Sequence, residues 1–122
     1  IENRRKNAAA LQKIMCDNIT YQIQREIGKS SWFGFSLIIR KGSKLKRKDL
    51  TTELMKNGFE FRPIVSGNFT SHQVIKHLNV DLTQNLENAE HLHQQGLFLG
   101  NHHYDIQEEI YKLSIICKSI AS

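Results

Sequence analysis

Apolar residues recur at helical spacing at both ends of the chain and at strand spacing between them. Ala8, Leu11, Ile14 and Met15 return every three or four positions, with Arg4, Arg5 and Lys6 on the outer side, which predicts an opening helix. No capping residue precedes it and Ile1 is no initiator, so the chain reads as cut from a longer polypeptide. From Ile19 the period changes to two: Ile19, Tyr21 and Ile23 alternate with Thr20, Gln22 and Gln24, as in a half-buried strand or an extended approach to one. Gly28-Lys29-Ser30 breaks this run. Trp32 to Ile39, dense in aromatic and β-branched residues, is the strongest strand signal. Asp49 to Lys56 reads as a helix with Leu50, Leu54 and Met55 inward and Gly58 as its C-cap.

Phe59 to Phe69 alternates and then runs apolar, predicting a short strand that ends at Arg62-Pro63 and turns at Gly67-Asn68. Ser71 to Leu78 predicts a short helix with Val74, Ile75 and Leu78 on its apolar face, and Leu82 to Gln95 a second helical stretch closed by Gly96. Leu97-Phe98-Leu99 is a short strand. Asp105 with Glu108 forms a capping box for a last helix, whose wide stripe is Ile106, Ile110, Leu113, Ile116, Cys117 and Ile120. The order predicts a small α+β domain, a mostly antiparallel sheet covered by helices.

At 122 residues there is room for one domain, and 39% apolar against 24% charged residues favours a packed core over disorder. No apolar run approaches a membrane span, and no leader pattern opens the chain. Cys16 and Cys117 lack metal-type spacing and fit a reducing compartment, so the expected location is cytoplasmic. The sequons at Asn18-Ile19-Thr20 and Asn68-Phe69-Thr70 are then chance matches. Much of the +5 charge sits in Lys41, Lys44, Lys46, Arg47 and Lys48. Both a solvated turn and a nucleic-acid patch fit this cluster; its confinement to one loop without aromatics favours the turn.

The chemistry-bearing candidates gather after the third predicted strand. Arg62, Ser66 and Asn68 place a guanidinium, a hydroxyl and a carboxamide at one strand end, suited to an oxyanion or a sugar hydroxyl. Of the adjacent His102 and His103, one faces a ligand or subunit contact and the other solvent; His102 is the candidate. His91 and His93 lie on different helix faces and cannot share a metal ion. Gly28-Lys29-Ser30 lacks the upstream glycine of a phosphate loop, and no Gly-x-Ser-x-Gly elbow occurs.

Ser31-Trp-Phe-Gly-Phe-Ser-Leu-Ile, a helix ending in Asn57-Gly58, Phe61-Arg62-Pro63 with Ser66-Gly67-Asn68, and the tail from Asn88-Ala89-Glu90 to Gly100 resemble the DegT/DnrJ/StrS family. These are pyridoxal-phosphate-dependent nucleotide-sugar aminotransferases, and the similarity is greatest to the lipopolysaccharide-biosynthesis branch that includes sugar 3-dehydratases. The resemblance implies the C-terminal small domain of a fold-type-I enzyme, with residues 1–18 the end of an interdomain helix and 19–122 the domain. It implies a nucleotide-sugar substrate, a homodimeric parent and pyridoxal phosphate bound mainly by a missing large domain, leaving this fragment without the catalytic residue and inactive alone. Arg62 then grips an anionic group, and Asn68 bonds a sugar hydroxyl or fixes its loop. Asn101-His102-His103-Tyr104 departs from that branch, which leaves both the sugar and the choice between amino transfer and 3-dehydration open. A free-standing basic module binding nucleic acid or protein is the alternative.

Overall fold

Alternation along two central strands decides where the core lies. The computed structural model describes residues 1–121. Its helices are α1 (Glu2–Met15), α2 (Arg47–Lys56), α3 (Glu87–Gln95) and α4 (Gln107–Ala121); its strands are β1 (Tyr21–Ile23), β2 (Gly34–Ile39), β3 (Phe61–Arg62) and β4 (Gly96–Gly100). The sheet order is β1-β2-β4-β3, every pairing antiparallel. Phe35, Leu37 and Ile39 of β2 and Leu97 and Leu99 of β4 point to one face. There they join Leu11 and Met15 of α1, Leu50 and Leu54 of α2, and Ile110, Leu113 and Cys117 of α4 in one buried cluster. The small antiparallel α+β fold expected from the sequence is the fold found, and the wide stripe of α4 is buried as its spacing implies.

The other face is only half covered. α3 lies against β2 and β4, and Ile64 sits so close over Gly96 that a Cβ there would approach its Cδ1 to 2.5 Å. Toward Gly34 and Gly100, which pair in register, that face is left to Phe33 and Phe98.

Several elements are shorter than their patterns suggest. The strand expected from Phe59 is reduced to Phe61–Arg62, with Phe59 packed against the core instead. The helix expected over Ser71–Leu78 is two 3-10 turns, Phe69–Ser71 and Gln73–His77. Extended backbone at His72 (φ −87°, ψ 144°) separates them, and Val74 and Leu78 stay almost half exposed. The stretch from Leu82 becomes helical only at Glu87, whose amide donates to Asn85 Oδ1. Met55 is 64% exposed, because Leu50 and Leu54 occupy the inward face of α2 and the next residue is rotated about 100° away. Ile19 is outside the sheet and exposed. At α4, Asp105 accepts from the Gln107 amide, and the side chain that reaches back to it is that of Gln107.

Both cysteines are free, Cys16 exposed and Cys117 buried. Burial pushes the Cys117 thiol up to about 12, so it carries almost no thiolate at neutral pH. A native thiol titration is therefore expected to find Cys16 reactive and Cys117 silent until denaturant is added. Rapid native labelling of Cys117 would contradict the packing of α4. No helix among the described residues is long and apolar enough to cross a membrane.

Candidate functional site

The site is built around a buried carboxamide that ties three distant segments together. Asn101, directly after β4, donates from Nδ2 to the carbonyls of Arg4 (2.9 Å) and Trp32 (2.8 Å). Its Oδ1 accepts from Asn7 Nδ2 at 3.1 Å. Asn7 also donates to the Tyr104 carbonyl (2.9 Å) and accepts from the Ile106 amide (3.3 Å). Helix α1, the entry to β2 and the β4–α4 connection are thus fixed by two asparagines that are almost wholly buried. Burial without partners would be costly, so this network sets one arrangement of the three segments.

The clamp controls the presentation of aromatic residues. Trp32 has φ +51°, a conformation uncommon for a residue with a Cβ. It turns the Trp32 ring into the core, 6.3 Å from Phe35, and leaves the Phe33 ring outside and 70% exposed. Phe33 stacks on Phe98, with centroids 6.1 Å apart and planes at 26°. The Arg4 guanidinium carbon lies 5.6 Å from the Phe33 centroid, within the range of a cation–π contact. Arg62 pairs in register with Phe98 and so projects to the same face.

A groove of about 900 Å³ follows this edge of the sheet, lined by Phe33, Phe98, Arg62 and His102 on one side and by Met55, Phe59 and Ile110 on the helix side. Its size suits a small-molecule ligand. Arg62 is exposed and makes no hydrogen bond or ion pair among the described residues, so its planar donor fork is available. His102 stacks on Tyr104 at 4.8 Å between centroids.

Of the four residues singled out from the sequence, the structure brings Arg62 and His102 to this groove and sets Ser66 and Asn68 apart from its lining. Asn68 is buried and engaged: its Nδ2 donates to Glu90 (2.8 Å), its Oδ1 accepts from both the amide and hydroxyl of Thr70, and its amide donates to His93 Nδ1 at 3.2 Å. The Ser66 carbonyl bonds His72 Nε2 at 2.7 Å. These contacts fix the loop that follows Arg62. They also hold Glu90 below its ordinary carboxylate value, first through the Asn68 amide and then through Gln94. Accepting from Asn68 requires an unprotonated Nδ1 on His93. A Cβ on Gly67 would collide with that same nitrogen.

The basic cluster is partly occupied within the chain. Lys41 pairs with Glu87 at 2.7 Å, and Arg47 donates to the carbonyls of His93 and Gly96, pinning the turn to α3. Among the described residues no group of three or more His, Cys, Asp or Glu side chains is arranged to hold a metal ion. Every lysine is exposed. None has the enclosed apolar setting that activates an amine for a Schiff base.

Residues 1–115 match the DegT/DnrJ/EryC1/StrS aminotransferase family. The chain belongs to this family. GDP-4-keto-6-deoxy-D-mannose 3-dehydratase of Yersinia pseudotuberculosis is 40% identical over 119 residues, which cover 97% of the chain and 30% of the relative. The enzyme of that name from Escherichia coli O55:H7 (strain CB9615 / EPEC) is 43% identical over 119 residues, covering 97% and 31%. A solved E. coli GDP-4-keto-6-deoxy-D-mannose-3-dehydratase with bound hydrated PLP superposes with a TM-score of 0.91 at 42% identity, covering 94% of this chain and 30% of that one. This DegT/DnrJ-family chain therefore spans less than a third of the length of these relatives.

The clamp at Asn7 and Asn101 was not anticipated. Its one visible signal is that Asn7 lies beside Ala8 and four residues before Leu11, on the apolar side of α1. A polar residue there must find a buried partner.

Proposed function

We propose that this chain is the C-terminal small domain of a pyridoxal-phosphate-dependent enzyme that removes the 3-hydroxyl of a GDP-linked 4-keto-6-deoxy sugar. The observation carrying the proposal is an unpaired Arg62 guanidinium at the rim of an open groove, in a chain 40% and 43% identical to two 3-dehydratases. Residues 1–18 enter from the rest of the polypeptide and 19–122 form the domain, with Ala8, Leu11 and Met15 of α1 locked into its core. Pyridoxal phosphate, held by that remainder, supplies the electron sink for elimination. Arg62 binds an anionic group of the sugar nucleotide with its two-pronged guanidinium, and His102 offers a ring nitrogen beside it. Asn68 acts through its loop, holding the segment after Arg62 in place, and Ser66 shares that loop. We place the parent enzyme in the cytoplasm as a homodimer working in surface-polysaccharide synthesis.

The test is made on the full-length polypeptide. Purified protein is expected to carry a near-ultraviolet to visible cofactor band that responds to an amino donor. With GDP-4-keto-6-deoxymannose, mass spectrometry is expected to show a sugar that has lost its 3-oxygen. Incorporation of nitrogen with all oxygens but the keto group retained would assign amino transfer instead. Absence of both band and turnover would reject the enzyme reading.

A further inference from the structure

We propose that the stacked pair Phe33–Phe98, with Arg4 beside the first ring and Arg62 beside the second, seats the purine base and diphosphate of the sugar nucleotide. This rests on the sugar-nucleotide reading above and names the part of the substrate that the groove takes. The first support is exposure. Phe33 is 70% exposed and contributes nothing to the core, yet its ring lies nearly parallel to that of Phe98 (26°, 6.1 Å). Together they form a continuous apolar surface on the uncovered half of the sheet.

The second support is that this exposure is enforced. Trp32 is held at φ +51°, with its amide donating to Ser30 Oγ and its carbonyl accepting from Asn101. A left-handed tryptophan persists only where its surroundings over-determine it. Here the consequence is that Trp32 turns inward and Phe33 outward. Gly34 lets the Phe98 ring lie flat against the sheet: a Cβ on Gly34 would overlap that ring.

The third support is unspent donor capacity beside the rings. Arg62 is without a hydrogen bond or ion pair among the described residues, and the Arg4 guanidinium carbon lies 5.6 Å from the Phe33 centroid. Glu60 and Glu109 also line the groove, but neither forms an ion pair with either arginine. A flat aromatic surface flanked by two guanidiniums matches a heteroaromatic base with acceptor atoms on its edge and anionic oxygens a few bonds away. The base lies on the two rings beside the Arg4 guanidinium, and Arg62 takes the diphosphate. A groove of about 900 Å³ is large enough for a nucleotide.

The experiment is calorimetric titration of the full-length polypeptide with GDP and, separately, with guanosine. Phe33→Leu is expected to weaken both ligands about tenfold, the loss appropriate to one stacking partner. Arg62→Gln is expected to weaken GDP about tenfold and leave guanosine within about twofold, because only GDP carries the charge. Phe33→Tyr retains the ring and is expected to bind both normally. The proposal is overturned if wild type fails to bind GDP, if Phe33→Leu binds it as wild type does, or if Phe33→Tyr loses as much as Phe33→Leu. Calorimetry needs no turnover, so the two readings fail separately. GDP binding that depends on Phe33 without a cofactor band would reject the enzyme reading, whereas an active enzyme indifferent to Phe33→Leu would reject this one.

Discussion

Replacing Asn101 by alanine is expected to destabilise the domain by about 4 kcal/mol, because it strips partners from buried groups in three segments at once. The carbonyls of Arg4 and Trp32 lose their donor, and Asn7 loses an acceptor. Each orphaned group costs about 1–3 kcal/mol when water cannot replace the partner, and partial relaxation keeps the sum below the full total. Against a usual domain stability of about 5–15 kcal/mol, that is a large fraction. Urea unfolding of this chain followed by Trp32 emission measures it, since Trp32 is the only tryptophan of these 122 residues and its carbonyl is one of those released. Asn101→Asp separates packing from donation. It preserves shape and the acceptor toward Asn7 but points a carboxylate oxygen at two carbonyls, so it is expected to be no better than alanine. A loss under about 1 kcal/mol for Asn101→Ala would show that water satisfies these groups and that the clamp does not hold the three segments.

The clamp also marks the limit of what periodicity reveals. The 3.6-residue recurrence in α1 and α4 and the β-branched run in β2 identify elements whose buried faces lie within this chain, and these were legible. Val74, Leu78 and Leu82 show comparable apolar character but remain exposed, because a pattern records that a face is apolar and not what covers it. The helix read over Ser71–Leu78 failed locally at His72, where extended backbone interrupts the turns. Phe59 to Phe69 kept the expected turn at Gly67, whose φ is +60°. Its strand, however, covers only Phe61 and Arg62, because Pro63 has no N–H to continue the ladder although β4 runs on through Leu97 to Gly96.

The candidate site was legible in part for a similar reason. Arg62 and His102 belong to different segments, and only the antiparallel pairing of β3 with β4 makes them neighbours of one groove. Asn68, a plausible ligand residue from its sequence setting, has its hydrogen-bonding capacity directed to Glu90 and Thr70. Phe33 shows the converse. Within Ser31-Trp-Phe-Gly-Phe the spacing favours core over a stacking platform, and the left-handed turn at Trp32 sends one of the three rings outward.

Gly34→Ala is expected to cost about 3 kcal/mol, at the upper end for overpacking, because two kinds of neighbour must yield. The added methyl would overlap the Phe98 ring, with Cε1 at 2.6 Å, and would stand 2.7 Å from the Leu99 carbonyl oxygen. A ring can swing away, but the carbonyl belongs to the β2–β4 ladder, where Gly34 pairs with Gly100 and Phe35 with Leu99. The strands must therefore part at this end or Phe98 must leave Phe33. Either movement disturbs the stacked surface. Adding Phe98→Leu to Gly34→Ala relieves the first overlap and not the second, so a double-mutant cycle is expected to return about 1–2 kcal/mol of coupling and leave a residue of destabilisation from the backbone. Denaturant unfolding of the four proteins reads both terms. Strict additivity would mean that the ring does not lie over Gly34, removing the geometric basis for the paired aromatic surface. Full rescue by Phe98→Leu would instead place the whole cost in the ring and leave the β2–β4 ladder intact.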